Sequence, residues 1–120
     1  MVVAKYPATH GHTTVIDNLC LGLSKLGYST AIGAFSFSSN PPNNIKMIKL
    51  SKFQLLTKGL DYLDFDIIHS HQPRVNYYLL FKKFTKPVIL HYHGASNFIQ
   101  RKNFAFMMKL FHKKISKIIS

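Results

Sequence analysis

The chain has 120 residues, enough for one domain with a real core and too few for two. Its 47% hydrophobic content argues against disorder, its short interrupted apolar runs exclude a bilayer span, and its one cysteine, Cys20, excludes an internal disulfide. Lys and Arg number 16 against four acids, Asp17, Asp61, Asp64 and Asp66, with no Glu, and of the net +12 only +1 falls in residues 1–44. That asymmetry suits contact with an anionic lipid surface, a phosphorylated substrate or nucleic acid; the plainer alternative is a lysine-decorated solvated surface. No basic region followed by an apolar run opens the chain, so no secretory signal is expected and a reducing cytoplasm fits.

Val2 to Ala4 read as a short first strand, followed by a loop, Thr9-His10-Gly11-His12. From about Thr13 to Leu26 the apolar residues Val15, Ile16, Leu19, Cys20, Leu23 and Leu26 recur at helical spacing. Thr13 or Thr14 is the expected N-cap, Gly27 the expected stop, and Cys20 a packed core residue. Tyr28 to Phe37 reads as a second strand, Ser38 to Asn44 as a turn-forming loop, and Ile45 to Leu50 as a short strand before a helix that reaches Leu63. Asp66 to Ser70 has the composition of a buried strand, Val75 to Phe84 of a helix, and Val88 to His93 of another strand ending at Gly94. A final helix is expected from about Asn103 to Ile115, ahead of an apolar pair, Ile118-Ile119. Strands alternate with helices and are continuously apolar, which predicts an α/β fold with a doubly wound parallel sheet covered on both faces.

Ligands of open parallel sheets gather at the carboxyl ends of the strands, and three polar clusters fall there. The first is His10-Gly11-His12, where a glycine and a helix N-terminus together suit a phosphate, although a plain tight turn has the same sequence and the full dinucleotide fingerprint is missing. The others are His69-Ser70-His71 and His91-Tyr92-His93-Gly94. Residues two apart on a strand share a face, so each His-x-His pair invites a metal. The nearest acid, Asp66, starts its strand at the far end, so no metal is expected, and His69 and His91 read as satisfied polar residues. There is no Gly-x-Ser-x-Gly elbow, no Walker-type loop and no recognised nucleic-acid module. In the last third, Phe104, Met107, Met108, Phe111, Ile115 and Ile118 form an apolar stripe suited to packing on the sheet. Arg101, Lys102, Lys109, Lys113, Lys114 and Lys117 supply a cationic side suited to an anionic membrane.

The ordered set Pro7 and Gly11, then Val15-Ile16 through Gly22-Leu23 to Gly27-Tyr28, then Asp66-Ile67-Ile68-His69-x-His71, then Pro87-Val88-Ile89-Leu90-x-x-His93-Gly94 resembles the N-terminal domain of family-four glycosyltransferases. These have the GT-B architecture, in which two Rossmann-like domains face each other across a cleft. The resemblance spans essentially the whole chain and implies residues 1–120 to be an acceptor-side, Rossmann-like domain stopping before its last strands. It implies that His10, Gly11 and His12 form the donor-phosphate loop, that His93 is the catalytic residue beside the transferred sugar, and that His71 and Gly94 line the acceptor and sugar cleft. It further implies retaining transfer of a hexose from a nucleotide-sugar co-substrate to a lipid-linked or cell-envelope glycan, with no metal or other cofactor. The implied partner is a donor-binding C-terminal domain; the basic balance and the cationic final helix add an anionic membrane surface, with the protein cytoplasmic and peripheral at the inner face of the membrane. Two departures stand out: His10 replaces the first of the two adjacent glycines common in the family, and the paired glutamates of the donor half have no counterpart in a chain without Glu. A non-catalytic module working with a separate donor-domain chain is the first alternative, and a His-x-His metalloenzyme the second.

Overall fold

In the computed structural model residues 1–8, 11–42, 45–94 and 97–119 are described. Their strands are β1 (Val2–Tyr6), β2 (Ala31–Phe37), β3 (Lys46–Lys49), β4 (Ile68–Ser70), β5 (Val88–His91) and β6 (Lys117–Ile119). The helices are α1 (His12–Lys25), α2 (Lys52–Lys58), α3 (Pro73–Leu79) and α4 (Phe98–Phe111), with single 3-10 turns at Leu60–Tyr62 and His112–Lys114. All six strands run parallel in the order β3-β2-β1-β4-β5-β6. The fold is therefore an open, Rossmann-like α/β sheet whose chain order reverses between β1 and β4.

An apolar cluster lies on each face of the sheet. On one, Ile16 and Cys20 of α1 pack with Val3, Ile32, Ala34 and Ile45. On the other, Leu55, Leu60, Val75 and Leu79 from the α2–α3 side pack with Val2, Leu50, Ile68 and Val88, and Phe111 of α4 leans on the same cluster. Cys20 is fully buried in the first cluster, as its place on the helical stripe predicts.

Local signals explain where elements start and stop. Helix α1 ends as expected at Gly27: its φ of 92° lets Tyr28 N–H reach Leu23 O at 3.1 Å and Gly27 N–H reach Ser24 O at 3.0 Å, satisfying carbonyls the helix leaves open. Its start differs from expectation. Gly11, at φ 76°, takes the N-cap position, while Thr13 Oγ1 donates to Ala8 O at 2.9 Å and ties the preceding loop to the helix. Strand β2 begins three residues later than the composition suggests, because Tyr28 and Ser29 are exposed beyond the helix stop. Helix α3 opens on Pro73, whose missing N–H costs nothing in a first turn, and it ends at Leu79 rather than Phe84. Helix α4 starts five residues before the expected Asn103, because Asn97 Oδ1 accepts from Gln100 N–H at 2.9 Å and caps it.

Candidate functional site

The carboxyl ends of β1, β4 and β5 open into one cleft of about 700 Å3, at the point where the strand order reverses. Gly11, His12 and Val15 line it from the start of α1, His71, Gln72, Pro73 and Arg74 from the end of β4, and Tyr92, His93 and Gly94 from the end of β5. Gln100, Asn103 and Phe104 of α4 close the remaining side. A larger apolar hollow of about 810 Å3, which includes Leu26, Tyr28, Asp64 and Asp66, lies at the opposite ends of the strands. Ligands of open parallel sheets collect at the carboxyl ends, so the smaller cleft is the candidate site.

Backbone bonds fix each wall. His71 N–H donates to Val2 O at 3.0 Å, and Gln72 Oε1 accepts from Ala4 N–H at 2.8 Å, so the segment after β4 continues along β1 past the end of the strand. Tyr92 N–H donates to Ile119 O at 2.6 Å, and the Tyr92 ring lies 4.2 Å from that of Phe104. The loop carrying His93 is thus held by β6 below and α4 beside it. On the opposite wall Tyr6 Oη donates to Asp17 Oδ1 at 2.8 Å, anchoring α1 to the end of β1. Gly11 and Gly94 have φ of 76° and 91°, values that side chains rarely adopt, while the space where a Cβ would point is open. The backbone turn, rather than crowding, is what demands glycine at both positions.

Five histidines meet here. In register, His69 lies beside Ile89 and Ser70 beside Leu90, so the alternation that turns Ser70 to one face turns His69, His71 and His91 to the other. The rings form a row: His69 to His71 4.3 Å, His91 to His93 4.2 Å, and His93 to His12 4.1 Å between centroids, all stacked. His71 is only 1% exposed, and its Nδ1 lies 3.1 Å from His93 Nε2 while its Nε2 meets the Met1 thioether at 3.2 Å. Burial, then repulsion from His69 and the Met1 ammonium, lowers the His71 pKa to about 2. Burial, then the ammonium and His91, takes His69 to about 4, and burial with His12 and His91 takes His93 to about 4. At neutral pH His69, His71 and His93 are uncharged and act as hydrogen-bonding groups rather than as cations.

The expectation that His69 and His91 are satisfied polar residues fails. Among the described residues His69 Nε2 and His91 Nδ1 are buried without a hydrogen-bond partner. Each such atom costs about 1–3 kcal/mol when left unmet. Of the residues expected at the site, Gly11, His12, His71, His93 and Gly94 all line the cleft, and His10 lies outside the described residues. Gln72, Arg74, Gln100 and Asn103 join them without having been expected. The sequence signals were present but local: Pro73 marks a helix start that places Arg74 at the rim, and Asn97 three residues before Gln100 is a capping pattern. None of the described lining residues is a carboxylate.

Comparison of the chain with protein-family models, with curated proteins and with solved structures returns no match.

Proposed function

We propose that the chain is the acceptor-binding half of a retaining glycosyltransferase that moves a hexose from a nucleotide-sugar to a lipid-linked or cell-envelope glycan. One observation carries the reading: Gly11, His12, His71, His93 and Gly94, the described site residues in the family-four resemblance, line a single cleft at the strand-order reversal. Helix α1, 14 residues long, brings its N–H groups and the positive end of its dipole to the cleft beside Gly11, a setting for the donor diphosphate. Arg74 at the rim adds a cation to hold developing charge on the leaving group. His93, kept neutral and engaged through Nε2 with His71, has its other ring nitrogen for a sugar hydroxyl. The transfer uses nucleotide-sugar as co-substrate and no metal in the reacting centre.

A lipid-linked acceptor draws support from α4. No helix among the described residues is long and apolar enough to cross a membrane. Yet α4 exposes Phe98, Ile99, Phe106 and Leu110 on the same surface as Arg101, Lys102 and Lys109, a mixture suited to the interface of an anionic leaflet. A cytoplasmic protein resting on the inner face of the membrane fits that surface.

The absence of a carboxylate among the described cleft residues favours a division of labour in which a donor-binding domain supplies the remaining chemistry. That domain belongs either to the same polypeptide or to a separate partner chain, in which case this chain is a non-catalytic binding module. Incubated with nucleotide-hexoses and a polyprenyl-linked acceptor, the chain should give no transfer by itself and measurable transfer once joined to its donor-binding half. In the joined enzyme, His93→Ala should lower kcat by about a hundredfold or more, the usual cost of one lost transition-state hydrogen bond in a preorganised site. Unchanged turnover would remove His93 from the mechanism.

A further inference from the structure

We infer that His69, His71 and His91 form a binding site for a late first-row divalent cation, of which Zn2+ is the representative. The site lies behind the sugar cleft, on the α1 side of β4 and β5, and no role assigned above uses His69 or His91. One nitrogen from each of the three rings falls within 4.8 Å of the others, where two nitrogens about 2.0–2.1 Å from a tetrahedral Zn2+ would be roughly 3.3 Å apart. Modest side-chain rotation closes that gap, and the strands need not move, since adjacent parallel strands in register already set the rings side by side.

Two independent observations point to an ion rather than to simple packing. Buried nitrogens without partners in native proteins mark unseen water or metal, and His69 Nε2 and His91 Nδ1 are both of that kind. The third ring already has the support that metal-binding imidazoles use: His71 holds contacts at both nitrogens, to His93 and to Met1, so one can orient the ring while the other turns to the ion. Neutral imidazole is the form that binds metal. The donor set also selects the metal. Three imidazoles with no carboxylate among them suit Zn2+, Ni2+ or Cu2+ and give nothing to Mg2+ or Ca2+, which need oxygen ligands. His69 and His91 are only partly buried as residues, so the row reaches towards the surface of the sheet.

The ion would clamp β4 to β5 and hold His71 in the orientation that faces His93. Chain stripped with EDTA and freed of chelator should bind Zn2+ in calorimetry with one equivalent, and should gain about 5 °C or more in Tm at a hundredfold excess of Zn2+ over its Kd. Mg2+ should do neither. His69→Ala and His91→Ala should each abolish uptake, and His112→Gln, far from the row on the exposed end of α4, should leave it unchanged. Because either alanine variant could unfold, Co2+ added to the unaltered chain provides a second reading: intense visible bands mark tetrahedral nitrogen coordination. Absence of stoichiometric Zn2+ uptake, uptake that survives both alanine variants, or a Co2+ spectrum with only weak octahedral bands would each overturn the assignment.

Discussion

His71 joins two neighbourhoods, the sugar cleft through His93 and the sheet interior through Met1 and His69. Its position makes the acid limit of the fold predictable. An unfolded imidazole takes up its proton near pH 6.5, whereas His69 resists to about 4 and His71 to about 2. Folded pKa values below the unfolded one mean that the native state binds fewer protons than the unfolded chain as the solution acidifies. The contribution to stability is therefore complete above about pH 6.5 and is lost as pH falls through 4 towards 2. With chelator present, the urea-unfolding free energy should drop between pH 7 and pH 5, by at most about 1.4 kcal/mol per pH unit for each imidazole. His69→Gln should make that decline shallower. A stability that stays level from pH 7 to pH 5 would contradict neutral burial of His69 and His71. Cys20 shows the opposite direction, with burial raising its thiol pKa, and its place in the core explains why a lone cysteine has no chemistry here.

At the scale of elements, the seam between α3 and α4 contains a polar residue with little to do. Asn76 is fully buried, its Nδ2 donates to Met107 Sδ at 3.7 Å, and its Oδ1 has no partner among the described residues. Replacing it by leucine, a side chain of similar length, removes the unmet carbonyl and adds apolar contact. Asn76→Leu should raise stability by about 1 kcal/mol, seen as a Tm gain of about 4 °C. A lower Tm would show that the amide meets a need of the fold. The elements also show what sequence reasoning reaches. The strands and α1 were legible because Val2-Val3, the run from Ala31 to Ala34 and the stripe from Val15 to Leu26 carry their periodicity openly. The periodicity places helix α4 too late, at Asn103 to Ile115 instead of Phe98–Phe111, because Phe98 and Ile99 face solvent and break the amphipathic pattern just where Asn97 starts the helix. The cleft was legible in part, since glycines and histidines at strand ends stand out. The meeting of His69, His71 and His91 was not, because His-x-His spacing fixes a face within one strand and says nothing about which strand lies next to it or in what register.

Across the whole molecule the charge asymmetry acquires a location. The later residues, which hold +11 of the net charge, include α4, where Lys102 lies 4.7 Å over the exposed Phe98 ring. Vesicles rich in phosphatidylglycerol should sediment the chain at low salt and zwitterionic vesicles should not, with binding falling as ionic strength rises. At about 1 kcal/mol for each lysine near an anionic surface, Lys102→Gln with Lys109→Gln should weaken binding roughly thirtyfold. Equal binding to both vesicle types would favour a merely solvated basic surface. The strand order has a further consequence for how the chain is made. Strand β1 leaves the ribosome first and finds β2 about 25 residues later, but its other edge has no neighbour until β4 emerges at residue 68. Through that interval Val2 and Val3 border an unpaired strand edge, which other nascent or unfolded chains can join. Strand β3 and helix α2 must also be placed before the crossover returns to β1, so the centre of the sheet is synthesised before its flank and is among the last parts to be enclosed.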